Sequence, residues 1–483
     1  MMLDQSQDDS ADCSLELSGA QMQQLVDLVM PHLREFLDSL SDQPAWNFDE
    51  AASVARSVME PVPDSGMDPS IVIRRLFEEI LSVGVGSAGP GYLAYVPGGG
   101  LPDAAVADLI ASTVNRFVGL WNGAPGLAQL EVAVLRWFSD IVGYPASAGG
   151  FFTSGGSLSI WSAIVTARRC KLQGELSRGT LYTSDQAHHS VAKAAMFAGL
   201  PPENVRVVAV DSTFRVRVDA MREQIQQDRR DGFVPFAIVG AAGTTNTGAV
   251  DDLAALADLA EAERLWLHLD ASYGGFFMLT ERGRGLMNAI ERADSITLDP
   301  HKSLFMPYGT GCLIVRDQSH LRRAHQLRGE YLLAGPEEEF CDLSDISPEL
   351  TRAARGLRVW LPVMLHGIEP FRRNLDEKLD LTAFATENLR LLNEEIDDEL
   401  ELITEPQLTV VAFRLIRAGL NDEEIDDLNI RLRDAINASR KVLLTPTRLH
   451  GRYVIRICIL SFRTHRARVE ACLAEIRRAV HEV

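Results

Sequence analysis

A chain of 483 residues is too long for one simple core, so a large domain with smaller ones beside it is expected. Its 46% hydrophobic and 24% charged content is that of a soluble globular enzyme. A net charge of -20 argues against a nucleic-acid or anionic-membrane partner, because its long-range field repels phosphates, while leaving room for a local basic pocket.

Residues 1–16 are polar and acidic and read as a disordered tail, with neither a basic n-region nor an apolar h-region. No apolar run reaches membrane-spanning length. Helical periodicity then sets Leu25, Leu28, Val29, Leu33 and Phe36 on one face. A break at Pro61, Pro63, Asp64 and Gly66 precedes a second amphipathic helix over 70–82. Such stripes need a surface to cover them, so residues 17–100 are expected to pack on the body of the protein or on a second subunit. Gly84-Val85-Gly86-Ser87-Ala88-Gly89 spells G-x-G-x-x-G. It follows a helix and runs into Pro90, which is the wrong context for a dinucleotide site. The Gly- and Pro-rich stretch 84–100, with Tyr92 and Tyr95, reads instead as a loop bracketing a cleft.

Helices over 102–116 and 127–141 lead into an alternating region. Apolar β-type runs stand at 150–153, 180–183, 205–210, 236–241, 265–269, 295–298 and 312–315. Helical segments at 157–172, 190–198, 219–227 and 252–263 separate many of them. This predicts an α/β fold with a largely parallel seven-stranded sheet, covered on both faces and binding its ligand at the carboxyl ends of the strands. Residues 317–357 read as a charged, irregular connection of the kind used as a mobile active-site loop. A long helix over 358–392 should break or kink at Pro362 and Pro370. The end of the chain reads as a small α+β unit, with strands at 409–415, 442–444 and 452–459 and helices at 423–438 and 466–480. The expected domains are a large one over 101–375 and a small one over 376–483.

The six cysteines are scattered without a C-x-x-C pair, so neither a metal site nor a disulfide framework is indicated, and a reducing cytoplasmic setting is expected. Three strand ends carry chemistry. Ser295-Ile296-Thr297-Leu298-Asp299-Pro300-His301-Lys302 is a buried strand that stops at a proline and delivers a lysine. Leu265-Trp266-Leu267-His268-Leu269-Asp270 ends in a carboxylate. Thr153-Ser154-Gly155-Gly156-Ser157 runs through glycines to a helix start, where backbone N–H groups can bind a phosphate. A phosphate cradle, a carboxylate and a lysine on one edge of a sheet together describe a site for pyridoxal 5′-phosphate. Gly156 and Ser157 would anchor the phosphate, Asp270 would pair with the ring nitrogen and Lys302 would bond the aldehyde. Lys193, on a helix without such partners, reads as a surface residue.

These stretches, together with Thr183-Ser184-Asp185-Gln186-Ala187-His188 and Gly243-Thr244-Thr245, resemble in the same order the motifs of the group II pyridoxal-dependent amino acid decarboxylases, and the aromatic-L-amino-acid decarboxylases in particular. The resemblance implies an aminotransferase-like fold of type I, a homodimer and a small amino acid substrate. It implies that His188 stacks on the cofactor ring, with His189 the alternative, that Thr245 lies near the ring or its phenolic oxygen, and that His301 contacts the phosphate. It implies that Tyr331, on the irregular connection, protonates the substrate carbon after CO2 leaves, where aldehyde-forming relatives carry Phe. Tyr95, Val96, Gly119 and Trp121 fall on segments resembling those that line the substrate pocket. An aromatic or bulky substrate is therefore expected. The alternatives are an acidic amino acid read by Arg116, an aldehyde synthase or an inactive cofactor-binding homologue. The chain departs from the family at Asp299, where Asn is frequent, at Ser303, where a bulky aromatic is usual, and at Leu158-Ser159. An acid at 299, beside the phosphate, must either point away or be offset by a cation.

Overall fold

The structure is a computed structural model that describes residues 15–172, 174, 176–327, 329–330 and 339–483. It divides into two compact units, one ending at Gly86 and the other running from Ser87 to Val483. In the first, the helix Gly19–Ser39 is closed at its start by a capping box between Ser18 and Gln21. A short helix Ala51–Ser57 follows. The expected second helix is the α-helical stretch Pro69–Arg75 continued by a π-helical turn, Leu76–Ile80. The two-residue strands β1 (Trp46–Asn47) and β2 (Gly84–Val85) pair antiparallel, so the G-x-G-x-x-G stretch begins as a strand edge and does not open a helix.

In the second unit every apolar run of the alternating region becomes a strand. These are β3 (Gly149–Thr153), β4 (Gly179–Ser184), β5 (Val205–Val208), β6 (Val234–Ala241), β7 (Trp266–Asp270), β8 (Ser295–Leu298) and β9 (Gly311–Val315). They form a seven-stranded sheet in the order β3-β9-β8-β7-β6-β4-β5. β9 is antiparallel to both neighbours and the remaining pairings are parallel. Successive side chains enter opposite layers, as strand geometry requires. Phe152, Tyr182, Ile238 and Leu267 join one core, with Phe138 and Leu256 from its helices. Phe151, Leu181, Val239 and Trp266 join the other, with Ile160 and Ala194. Burial on both faces is why the inner strands read as continuous apolar runs; the edge strand β5 leaves Val207 exposed.

The carboxyl-terminal sheet is antiparallel in the order β10-β11-β13-β12, made of β10 (Glu399–Leu402), β11 (Val410–Ile416), β12 (Thr445–Leu449) and β13 (Arg452–Cys458). It packs against Glu369–Glu395, Asp422–Ala438 and Arg466–Glu482 through Leu389, Phe413, Leu432, Ile455 and Ile476. Three expectations are corrected here. The strand expected at 442–444 lies at Thr445–Leu449, and the backbone at Leu443 instead bridges to Tyr92. The long helix breaks at Gly367, whose φ of 69° leaves the helical region, and not at Pro362, which sits inside Arg355–His366; Pro370 occupies the first turn of the next helix, where its missing N–H costs nothing. Part of the irregular connection is helical, over Ser319–His325 and Leu343–Ile346.

Candidate active site

Strand β8 is buried along its whole length and stops where Pro300 has no N–H to give the ladder. The turn beyond it is closely held. The Lys302 N–H donates to the Asp299 carbonyl at 2.9 Å, and the Phe305 N–H donates to the Lys302 carbonyl at 3.1 Å. The Ser303 hydroxyl donates to the Tyr273 carbonyl at 2.7 Å. That bond uses the position where a bulky aromatic is usual in the family. His301 donates its backbone N–H (3.1 Å) and its Nδ1–H (2.7 Å) to the Thr310 carbonyl. So pinned, the turn brings Lys302 Nζ to 3.1 Å from Asp299 Oδ2. Asp299 is 2% exposed and does not point away from the site.

Lys302 opens into a cavity of about 380 Å³ at the carboxyl ends of the parallel strands. Asp270, the last residue of β7, lies on its wall, with Oδ1 accepting from the Ser272 N–H at 3.1 Å and the Ser272 hydroxyl at 2.6 Å. The register that aligns Asp270 with Ala241 of β6 and Thr297 of β8 puts these strand ends at one level. His188 follows β4, its Nδ1 2.7 Å from the Ser190 Oγ. Burial lowers its pKa, against the opposing pull of Asp270, so the ring is neutral at neutral pH. Burial likewise lowers the pKa of His301, partly offset by Asp299. The helix Gly156–Lys171 aims its start at the same space; the Leu158 and Ser159 N–H groups donate to the Gly155 carbonyl at 3.1 and 3.3 Å, while the N–H groups of Gly156 and Ser157 come too early in the helix to meet a helical carbonyl.

Seven expected residues thus meet around one cavity: Gly156, Ser157, His188, Thr245, Asp270, His301 and Lys302. Tyr331 lies outside the described residues. His189 and Arg116 are exposed. Tyr95, Val96, Gly119 and Trp121 do not line this cavity. Tyr95 is 60% exposed and takes a left-handed φ of 52°. Val96 packs against the main core. A Cβ on Gly119 would fall 1.8 Å from the Leu350 carbonyl oxygen, so this position has no room for a side chain. The Trp121 ring stacks on Phe340 at 4.4 Å. The segment after Tyr95 nevertheless runs close to the lysine turn, for a Cβ on Gly98 would lie 2.1 Å from the His301 carbonyl oxygen.

Ser190, Ser272 and Arg456 were not among the expected residues. Ser272 stands two residues past Asp270, the spacing of a side chain–backbone turn, and that is a readable signal. Arg456, on β13, offers none. Only 3% exposed, its guanidinium donates to the carbonyls of Asn246 (3.0 Å), Thr245 (2.5 Å) and Tyr95 (3.3 Å). Among the described residues it makes no ion pair, and burial lowers its pKa, yet a guanidinium stays charged.

The residues present fit a phosphorylated aldehyde. They offer a primary amine, a facing carboxylate, a flat neutral imidazole and a glycine cradle, and a side chain at 156 would spoil that cradle. A Cβ on Gly156 would lie 2.6 Å from Ser272 Oγ and 3.0 Å from Asp299 Oδ2. Gly156→Ala should therefore weaken pyridoxal phosphate binding by about 5- to 140-fold, as overpacking costs about 1–3 kcal/mol. A titration following the visible absorbance of the lysine-bound cofactor checks this; an unchanged affinity would mean that the phosphate sits elsewhere.

The chain has known relatives in both sequence and fold. Residues 64–416 match the family model described as the pyridoxal-dependent decarboxylase conserved domain. The chain is 33% identical over 481 residues to an aromatic-L-amino-acid decarboxylase of Bacillus atrophaeus, covering 97% of this chain and 98% of the relative. It is 30% identical over 411 residues to an L-2,4-diaminobutyrate decarboxylase of Rhizobium meliloti (strain 1021), covering 84% and 81%. Among solved structures, Oryza sativa TDC with PLP and tryptamine superposes with a TM-score of 0.91 at 24% identity, over 97% of this chain and 99% of that one, and so shares its fold. The chain belongs to the pyridoxal-dependent decarboxylase family and is a carboxy-lyase that uses pyridoxal phosphate.

Proposed function

We propose that this chain decarboxylates an aromatic or other bulky L-amino acid to its primary amine, as a cytoplasmic homodimer. The observation that carries this reading is the convergence of Lys302, Asp270, His188 and the Gly156–Ser157 helix start on one cavity. Pyridoxal phosphate, when bound there, supplies a sink for the electron pair left on the substrate carbon as CO2 departs. Lys302 Nζ would hold the cofactor covalently and carry a proton to or from the substrate nitrogen. Asp270 would hold a proton on the ring nitrogen through its negative charge, its orientation fixed by Ser272. His188, kept neutral by burial, would cover one ring face without adding charge. Gly156 and Ser157 would bind the phosphate through N–H groups, with His301 beside them and Thr245 near the ring oxygen. Tyr331 would deliver the proton to the carbon that loses CO2, which favours an amine product over an aldehyde.

For the substrate, Tyr95 and Val96 remain the proposed pocket residues with Gly119 and Trp121. The support for Tyr95 is its tie through Arg456 to the Thr245 loop. Arg456 also offers a buried positive charge suited to a substrate carboxylate. The aromatic class is further supported by the name of the Bacillus relative. A homodimer is supported by the helix Gly19–Ser39, which has no buried residue and exposes Leu25, Leu28, Leu33 and Phe36. Among the described residues no helix is long and apolar enough to cross a membrane, and the described cysteines are free, which suits a reducing compartment. Incubating the protein and pyridoxal phosphate with aromatic, acidic and basic L-amino acids should release CO2 and amine in equal amounts from an aromatic member. Release from glutamate or aspartate alone would overturn the substrate class.

A further inference from the structure

Asp299 is the charged side chain in this site for which the reaction above has no use. Its carboxylate is 2% exposed, and among the described residues Oδ1 has no hydrogen-bond partner. Oδ2 lies 3.1 Å from Lys302 Nζ and 3.7 Å from His301 Nε2. Glycines on either side make the space it occupies. A Cβ on Gly311 of β9 would lie 2.7 Å from Oδ1, and one on Gly156 would lie 3.0 Å from Oδ2. The acid is thus held between the sheet and the first residue of the helix whose N–H groups form the phosphate cradle.

Two consequences follow from charge alone. An anion seated on the Gly156 and Ser157 N–H groups faces a buried carboxylate across little solvent, where like charges repel far more than in water. The cation that balances Asp299 is Lys302, the same group that must engage the cofactor. A lysine committed to the cofactor is no longer committed to Asp299.

We propose that Asp299 is a built-in competitor of the cofactor, a positioning residue that holds Lys302 beside the cradle and opposes the phosphate, so that this chain loads pyridoxal phosphate reversibly. The inference rests on the reading of Lys302 as the cofactor lysine. It makes cofactor supply a control on the activity of the chain, because a site with an internal competitor empties when free pyridoxal phosphate falls.

The test compares the wild-type protein with Asp299→Asn and Asp299→Ser, each checked for folding by circular dichroism. Pyridoxal phosphate affinity is read from the visible absorbance of the lysine-bound cofactor, and cofactor loss from its decay on dilution. Inorganic phosphate, which forms no bond to lysine, is titrated separately by calorimetry and reads the cradle alone. Removing one like charge should tighten pyridoxal phosphate and inorganic phosphate by about tenfold or more and slow cofactor loss in proportion. Equal or weaker binding of inorganic phosphate by a folded neutral variant would overturn the proposal, since Asp299 would then be neutral to the cradle or support it. A wild-type chain that gives no visible adduct would instead sink the reading of Lys302, while the phosphate titration would still decide the role of Asp299.

Discussion

Replacing Lys302 by alanine is expected to abolish both turnover and the visible absorbance that develops when pyridoxal phosphate is added. Lys302 is the primary amine among the residues lining the cavity, and the turn that carries it is fixed by the bonds from Ser303, Phe305 and His301. The alanine variant also leaves Asp299 as a buried charge without its cation, which costs about 3–5 kcal/mol in comparable cases. Lys302→Arg separates the two effects. It keeps a positive charge near Asp299 but has no amine to bond an aldehyde, so it should fold like the wild type and still lack absorbance and turnover. Retained visible absorbance in the folded arginine variant would show that another lysine holds the cofactor.

The second large effect is expected at Asp270. In Asp270→Asn the side-chain oxygen can still accept from Ser272, so the fold should survive, while the charge that holds a proton on the ring nitrogen is lost. Turnover should fall by on the order of 10²- to 10⁴-fold, the range spanned by a positioned proton-holding group. Cofactor binding should fall much less, because the phosphate cradle and Lys302 are untouched. Steady-state rates at saturating cofactor measure this. A rate within about tenfold of wild type would leave Asp270 as the structural anchor of the Ser272 turn.

Much of this was legible because the physics is local. A strand buried on both faces is largely apolar along its length, so the inner strands of the large sheet stand out in the sequence, while the edge strand β5, with Val207 exposed, is marked by its valines; the strand ends carry Asp270, Lys302 and the Gly155-Gly156-Ser157 turn. What local pattern could not reveal was set by distant partners. The strand β10 alternates Glu and Leu directly after an acidic helix, and its pairing with β11 decides it. The break between Arg355–His366 and Glu369–Glu395 falls at Gly367, whose φ of 69° leaves the helical region, while Pro362 lies buried inside the first of these helices. Arg456 touches the Thr245 loop from 211 residues away, and nothing in its own segment marks it. The sequence raised the question of where Asp299 points. Only the packing of Gly156 and Gly311 around its carboxylate turned that question into a competition with the cofactor.

The most direct test of the account is to trap the bond it centres on. The protein loaded with pyridoxal phosphate is reduced with borohydride, digested and mapped by mass spectrometry. One phosphopyridoxyl mass increment is expected, on the peptide containing Lys302. An increment on Lys193 or any other lysine, with Lys302 unmodified, would contradict it.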